Sequence, residues 1–237
     1  MEKSFKLSGQ GSLKFVRLSH VLREIPDEVL KYVYIPKCQF PEGLKVIGRR
    51  NFMRYDGDKG CKHVTFPSTL EYILRGAFWN NNIEEFVIPT NVKAIFPNAF
   101  GYCDKLKKVK FMSDETVVLP GAFYWCDHLD SLPICKAPPL GDRVFGADEV
   151  RYDGDTLTYI PSYYCGKLVV KDGTRQIASN INLEIYDGIT EQYLPDSLKY
   201  NGKYLEFTKV LRSSEKKRIE LNLLCTYKLC SFNCLLK

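Results

Sequence analysis

The sequence of 237 residues predicts a mainly β or α/β solenoid, in which short parallel strands stack turn upon turn. Two observations predict this fold class. A phenylalanine recurs from Phe52 to Phe145 at intervals of 26, 22, 23 and 22 residues, and an alternating apolar motif follows four of the five occurrences in register. Internal repeats with periods of about 20 to 50 residues are typical of stacked architectures.

The alternating motif predicts one short strand in each turn. It has the form apolar-x-x-apolar-x-apolar and occurs at residues 61–66, 83–88, 106–111 and 129–134. Every second side chain of such a strand points inward. A single unit cannot bury its apolar side, so neighbouring units must stack, with their strands about 4.8 Å apart in a parallel ladder.

The recurring phenylalanines are predicted to form a buried aromatic column. Stacking brings one ring from each turn into line, and burial of each ring contributes about 2 to 3 kcal/mol. We interpret these residues as core, because a ligand bound among them would replace packing that the repeats need. They are Phe52, Phe78, Phe100, Phe123 and Phe145.

The domain organisation predicted from the repeats is a solenoid with a cap at each end. Weaker copies continue to about residue 180, so we assign residues 1–39 to an N-terminal cap, 40–180 to the repeats, and 181–237 to a C-terminal cap and basic tail. Apolar alternation over residues 13–18 favours a strand in the first cap. Asn201-Gly202, between two apolar stretches, is typical of a hairpin, so the C-terminal part is expected to change to antiparallel strands.

Charge is distributed unevenly along the chain. The formal net charge is +6 at pH 7, but residues 1–198 contain 25 Lys and Arg against 25 Asp and Glu, whereas residues 199–237 contain 9 against 3. The basic excess therefore lies in the tail, and the predicted repeats are electrically balanced. No window approaches the roughly 18 apolar residues of a membrane-spanning helix.

Two features predict a cytoplasmic location. The first ten residues carry Lys3 and Lys6 but no apolar stretch of signal-peptide length. The nine cysteines are an odd number in a chain long enough to build a core without disulfides, which favours reduced thiols.

The repeat motif resembles the BspA-like class of leucine-rich repeats. The resemblance rests on the Ala-Phe pairs, on Cys103 and Cys126 three residues after a phenylalanine, and on the Leu-x-x-Val-x-Phe strand. It covers a little over half of the chain. It implies a curved stack with the strands on its concave face, and an interaction or adhesion module, because members are often surface proteins of bacteria and protists. A cell-surface location is therefore the alternative to a cytoplasmic one.

The sequence predicts neither an enzyme nor a cofactor or metal site. It contains no phosphate-binding loop, dinucleotide-binding glycine motif, nucleophile elbow or zinc-protease motif. Cys61 with His63 and Cys126 with His128 lie three repeats apart, about 14 Å along the stack, which is too far for one zinc ion. Asn81, Cys103 and Cys126 occupy one repeat position, where a structural role beneath a backbone bend is expected.

The outward strand positions of the predicted concave face are the candidate partner-binding residues. Glu85 and Lys108 are within reach of a salt bridge across strands, and the face as a whole is mixed in charge. The candidates are His63, Thr65, Glu85, Val87, Lys108, Lys110, Glu149 and Arg151, with Ser131 and Pro133 at the intervening turn.

These observations predict a non-catalytic interaction or scaffold module that binds a protein through the concave face. Nucleic acid is not favoured there, because Lys108 and Lys110 alone are too few cations for a phosphate-binding groove. Two alternatives stay open: a cell-surface adhesin, and a tail from Lys199 that binds anionic lipid or nucleic acid by charge. The sequence names neither the partner nor the oligomeric state.

Overall fold

The computed structural model describes residues 18–55, 60–130, 138–199 and 211–212. The chain divides into two compact units, Met1–Pro139 and Leu140–Lys237. Both consist of short strands, most of them paired in parallel with strands one turn away. The prediction of a mainly β solenoid is confirmed.

The described part of the first unit contains nine strands that alternate between two ladders. The odd-numbered strands form one parallel sheet in the order β1-β3-β5-β7-β9, and the even-numbered strands pair in parallel as β2–β4 and β6–β8, with β4 beside β6. The strands are β1 (Glu24–Ile25), β2 (Lys37–Gln39), β3 (Val46–Ile47), β4 (His63–Thr65), β5 (Tyr72–Ile73), β6 (Glu85–Ile88), β7 (Ala94–Ile95), β8 (Lys108–Phe111) and β9 (Val117–Val118).

The even-numbered strands show the alternation that the sequence predicts. In β2 and β4 the central residue is buried and both neighbours are exposed, and β6 and β8 begin with the same pattern. The register aligns equivalent residues of successive turns, because Cys38 pairs with Val64, and Phe86 with Val109. Apolar side chains therefore stack on apolar side chains throughout this ladder.

The aromatic column is confirmed over four turns. Ring centroids of Phe52 and Phe78 are 4.9 Å apart, those of Phe78 and Phe100 5.4 Å, and those of Phe100 and Phe123 5.3 Å, with the planes within 10° of parallel. Phe145 lies in the second unit, where its backbone forms an isolated antiparallel bridge with Cys165.

A left-handed backbone conformation recurs two residues before each phenylalanine of the column. The φ angles there are 54° at Arg50, 63° at Gly76, 55° at Asn98 and 76° at Gly121. This conformation turns the chain between the odd-numbered strand and the phenylalanine. Glycine adopts it without the steric cost that a side chain adds, which explains two of the four residues.

The second unit combines one antiparallel pair with parallel pairing. β10 is antiparallel to β11, β11 is parallel to β13, and β12 is parallel to β14, which is parallel to β15. The strands are β10 (Arg151–Asp153), β11 (Thr156–Tyr159), β12 (Gly166–Val169), β13 (Gln176–Ile177), β14 (Ile189–Leu194) and β15 (Leu211–Arg212).

Parallel pairing extends into both segments that were predicted to be caps. β1 belongs to the five-stranded sheet, although it lies within residues 1–39, and β14 and β15 lie within residues 181–237. Among the described residues, β10 with β11 is the only antiparallel pair of strands. Further along the chain, β12 and β14 pair in parallel, with Leu168 opposite Gln192 one turn later. Residues 13–17 and the hairpin around Asn201-Gly202 lie outside the described residues, and the proposed domain boundaries stay predictions.

Candidate functional site

The exposed side chains of the even-numbered strands form one surface, which we call the strand face. Because alternate residues of each strand point outward, every strand contributes two side chains. They are Lys37 and Gln39 of β2, His63 and Thr65 of β4, Glu85 and Val87 of β6, and Lys108 and Lys110 of β8.

Six of the eight candidate residues from the sequence lie on the strand face. The other two belong to the second unit. Glu149 ends a short 3-10 turn, Ala147–Glu149, and accepts a hydrogen bond from the Tyr163 hydroxyl. Arg151 begins β10, and its guanidinium lies 5.2 Å from the centre of the Tyr159 ring. Ser131 and Pro133 lie outside the described residues.

Lys37 and Gln39 were missed at the sequence level. Residues 35–40 have the same apolar-x-x-apolar-x-apolar form as residues 61–66, with Cys38 and Phe40 in the positions of Val64 and Phe66. This spacing predicts a further strand before residue 40, the first residue assigned to the repeats. The strand face therefore has one more strand than expected.

The predicted salt bridge between Glu85 and Lys108 does not form. The two residues are register partners in β6 and β8, but the ion pair of these turns joins Glu84 and Lys107, with 3.2 Å between Oε2 and Nζ. Exposed ion pairs gain little free energy, so adjacency on neighbouring strands does not by itself hold two flexible side chains together.

A groove of about 800 Å³ lies over β4, β6 and β8. Five residues of the strand face line it, and its other wall comes from the loops that follow the strands. The lining from the strand face is Thr65, Glu85, Val87, Lys108 and Lys110, and the loop wall includes Glu42, Ser68, Thr90, Asn91 and Met112.

The loop wall of the groove is held by hydrogen bonds between turns. The Glu42 carboxylate accepts from the Ser68 backbone N–H at 3.1 Å and from its hydroxyl at 2.9 Å, and the Asn91 side chain donates to the Ser68 carbonyl at 2.8 Å. The hydrogen bond from the Ser68 backbone lowers the pKa of the Glu42 carboxyl below its ordinary value. These hydrogen bonds connect three successive turns along the wall.

The odd-numbered strands and the strand face differ in how their cations are paired. Beside the odd-numbered strands, Lys45 and Lys93 both contact Glu71, at 2.6 and 2.5 Å. On the strand face, Lys37, Lys108 and Lys110 have no acidic partner within the described residues. With Lys37 included, the face carries three lysines and one glutamate, so it is more positive than the mixed face that the sequence predicts.

The shared repeat position of Asn81, Cys103 and Cys126 has the structural role that was expected. Each side chain donates to the backbone carbonyl of the column phenylalanine in the preceding turn. The acceptors are Phe52 for Asn81 at 2.7 Å, Phe78 for Cys103 at 3.3 Å, and Phe100 for Cys126 at 3.1 Å.

The thiols of this position also interact with each other. Burial raises the pKa of the Cys103 thiol well above its ordinary value, whereas a hydrogen bond from Cys103 lowers the pKa of Cys126. We assign both thiols to the packing of successive turns, because their hydrogen bonds connect those turns.

The described residues contain neither a metal-binding cluster nor a helix that could cross a membrane. No group of three or more His, Cys, Asp and Glu side chains is placed to hold a metal ion there. None of the helices found in the same residues has the length and apolar character needed to cross a membrane.

Comparison with protein families gives one match. The model of the BspA type leucine rich repeat region matches residues 23–148 in 6 copies, which is more than half of the chain. The match begins one residue before β1, so it also includes β2, the strand that carries Lys37 and Gln39. No curated protein matches the chain.

Solved bacterial structures are similar over parts of their length. A leucine rich repeat protein from T. pallidum is 15% identical, with a TM-score of 0.38, and the match covers 65% of this chain and 61% of that one. A leucine-rich repeat protein from Bacteroides ovatus is 20% identical, with a TM-score of 0.42, and the match covers 82% of this chain and 59% of that one. A leucine rich cell surface protein from Faecalibacterium prausnitzii is 16% identical, with a TM-score of 0.29, and the match covers 72% of this chain and 41% of that one. The chain thus spans less than two thirds of each of these proteins.

Proposed function

Because the chain belongs to the family of BspA-type leucine-rich repeat proteins, we propose that it is a non-catalytic module that binds a protein partner through the strand face. Solenoids of leucine-rich repeats are generally interaction modules and typically not enzymes. Their stacked turns present an extended surface whose side chains vary from turn to turn while the core repeats.

The groove over β4, β6 and β8 is the observation that supports this surface most directly. It combines exposed apolar side chains, Val87 at 47% and Met112 at 51% exposure, with charged and hydroxyl groups at its sides. Interfaces between proteins typically combine an apolar centre with a polar rim. Backbone pairing of β6 with β8 keeps this arrangement fixed.

Two further functions remain candidates. The same surface exposed on a cell would act as an adhesin, as the family resemblance implies. The tail is the second candidate, because residues 199–237 carry 9 basic and 3 acidic side chains and so favour an anionic lipid or nucleic acid. In that case the solenoid would serve as a support.

A capture experiment with charge-neutral blocking variants tests the proposal. The full chain is immobilised under reducing conditions, captured proteins are identified by mass spectrometry, and each purified candidate is titrated by calorimetry. Val87→Trp fills the groove and should abolish binding of the true partner. Val169→Trp is the matched control, because Val169 is 66% exposed on β12 of the second unit.

A chain that ends at Ser213 keeps β15 and removes five of the nine basic side chains of the tail, those of residues 214–237. We expect it to bind the partner as the full chain does, with modest weakening between low and physiological salt. A different result would identify the tail, and not the strand face, as the binding site. In that case binding would survive Val87→Trp, disappear with the truncation, and weaken by orders of magnitude as salt rises.

A further inference from the structure

We propose that the partner presents an extended acidic segment, whose carboxylates bind Lys108 and Lys110 and whose apolar side chain packs on Val87. This inference rests on the proposed function and specifies the chemistry of the ligand at that same groove. It is carried by two lysines that have no acidic partner among the described residues, by their spacing on β8, and by the apolar surface beside them.

The groove contains two lysines, Lys108 and Lys110. Both line it, both are exposed, and neither has an acidic partner within the described residues. The adjacent Lys107, outside the groove, is paired with Glu84, and Lys45 and Lys93 share Glu71 on the other ladder. Among the described residues nothing neutralises these two lysines, so they are available to groups of opposite charge on a partner.

The spacing of the two lysines matches that of an extended peptide. Lys108 and Lys110 are two residues apart on one strand, so their side chains emerge on the same face about 6.6 Å apart. Alternate side chains of an extended peptide have the same spacing. Two acidic residues separated by one residue can therefore contact both lysines together, which a compact anion of one charge does not do.

The groove also has an apolar centre next to the lysines. Val87 is the register partner of Lys110, so it lies one strand away, about 4.8 Å along the ladder. Met112 is exposed at the end of the same groove. A ligand that covers the lysines also meets this apolar surface, which distinguishes an acidic polypeptide with an apolar side chain from a purely ionic ligand.

The Glu85 carboxylate allows the sign of the ligand's charge to be tested. It lines the groove as the register partner of Lys108, and no ion pair neutralises it within the described residues. An acidic ligand is repelled by this carboxylate, so Glu85→Gln should tighten binding. A ligand of mixed or basic charge would use the carboxylate, and the same substitution would weaken binding.

The experiment measures fluorescence anisotropy of labelled heptapeptides with the full chain. The probe has three glutamates that alternate with valine and leucine. Three matched peptides replace the glutamates by glutamine, the glutamates by lysine, or the apolar residues by serine. A single-stranded oligothymidylate with the same number of negative charges represents nucleic acid.

We expect the acidic apolar peptide to bind at least about tenfold more tightly than each matched peptide. Lys108→Glu with Lys110→Glu should weaken it by about tenfold or more, and Glu85→Gln should strengthen it by about twofold to fivefold. The control is Lys105→Glu with Lys171→Glu, two exposed lysines outside the groove and outside the tail, which should leave the affinity unchanged. Circular dichroism verifies the fold of each variant.

Three results would overturn the proposal: equal or absent binding of all peptides up to millimolar concentration, weaker binding with Glu85→Gln, or tighter binding of the oligothymidylate with a steep salt dependence. The two proposals fail in different ways. If Val87→Trp abolishes capture of the natural partner but the peptides show no preference for acid, the strand face stands and only the ligand chemistry is wrong.

Discussion

At the residue scale, Asn81 shows how one side chain joins two turns. Its amide group donates to the carbonyl of Phe52, and its oxygen accepts from the N–H of Cys61 at 2.6 Å. The side chain is buried, so both backbone groups depend on it rather than on water. In their own turns, Cys103 and Cys126 donate in the same way to the carbonyls of Phe78 and Phe100.

We expect Asn81→Ala to lower the free energy of unfolding by about 2 to 5 kcal/mol, because it leaves a buried N–H and a buried carbonyl without partners. Asn81→Cys is the matched control, since the next two turns have cysteine at the same position. It should lower the free energy of unfolding distinctly less than Asn81→Ala does. Urea unfolding measures both, and equal losses for the two variants would contradict this role.

The position of Asn81 was predictable from the repeat, but its two hydrogen bonds were not. Alignment of the turns places Asn81, Cys103 and Cys126 together, which suffices to predict a structural role. Which backbone groups they satisfy depends on the path of the preceding turn. The interchange of Asn and Cys follows from the fact that both can donate to a carbonyl.

At the element scale, the row of charges beside the odd-numbered strands links three turns. Lys45, Glu71 and Lys93 each precede the strand of their turn, and Glu71 contacts both lysines. Burial raises the pKa of Glu71, but hydrogen bonds from Lys45 and Lys93 outweigh burial, and the net pKa is lower than the ordinary value. The carboxylate therefore stabilises the ladder when it is charged.

This lowered pKa predicts a pH-dependent stability. The contribution is fully present above the unfolded pKa of glutamate, about 4.3, and is lost as the pH falls through the lower pKa of the folded state. Glu71→Gln should lower the free energy of unfolding by about 1 kcal/mol at neutral pH, because the lysines are half exposed and water screens the pair.

Unfolding curves of the wild type and of Glu71→Gln between pH 7 and pH 3 test this prediction. The difference between them should shrink as the pH falls. Lys105→Gln provides the control, since Lys105 is exposed and has no ion pair among the described residues. A difference that grows towards acid pH would contradict the lowered pKa.

The elements differ in how far the sequence predicts them. Three- and four-residue strands with apolar alternation, such as β4 and β6, follow directly from the motif. The odd-numbered strands of the first unit have only two residues each, too few for alternation to appear. Their pairing, and the loop wall of the groove, depend on backbone contacts between turns that no local pattern specifies.

At the scale of the whole molecule, the first unit has the energetics of a stack in which each turn contacts its neighbours. Phe78 lies at the centre of the column and is fully buried between Phe52 and Phe100. Phe123 is only partly buried at the described end of the column. The same substitution should therefore have different consequences at the two positions.

We expect Phe78→Ala to cost about 3 to 5 kcal/mol and Phe123→Ala clearly less, because cavity and transfer terms scale with burial. Hydrogen exchange should show reduced protection of β3 to β7 in the first variant. In the second, the loss should be limited to the turns of β8 and β9. Uniform loss of protection throughout the unit in both variants would argue against nearest-neighbour coupling.

The parallel pairing of strands one turn apart also determines how the first unit responds to mechanical force. Tension along the stack acts directly across the hydrogen bonds between turns, so these bonds open one turn at a time rather than together in shear. A turn of 22 to 26 residues occupies about 4.8 Å of the folded stack but spans roughly 75 to 90 Å when extended. Each turn that opens therefore lengthens the first unit by roughly 70 Å or more, so we expect its extension under force to be stepwise.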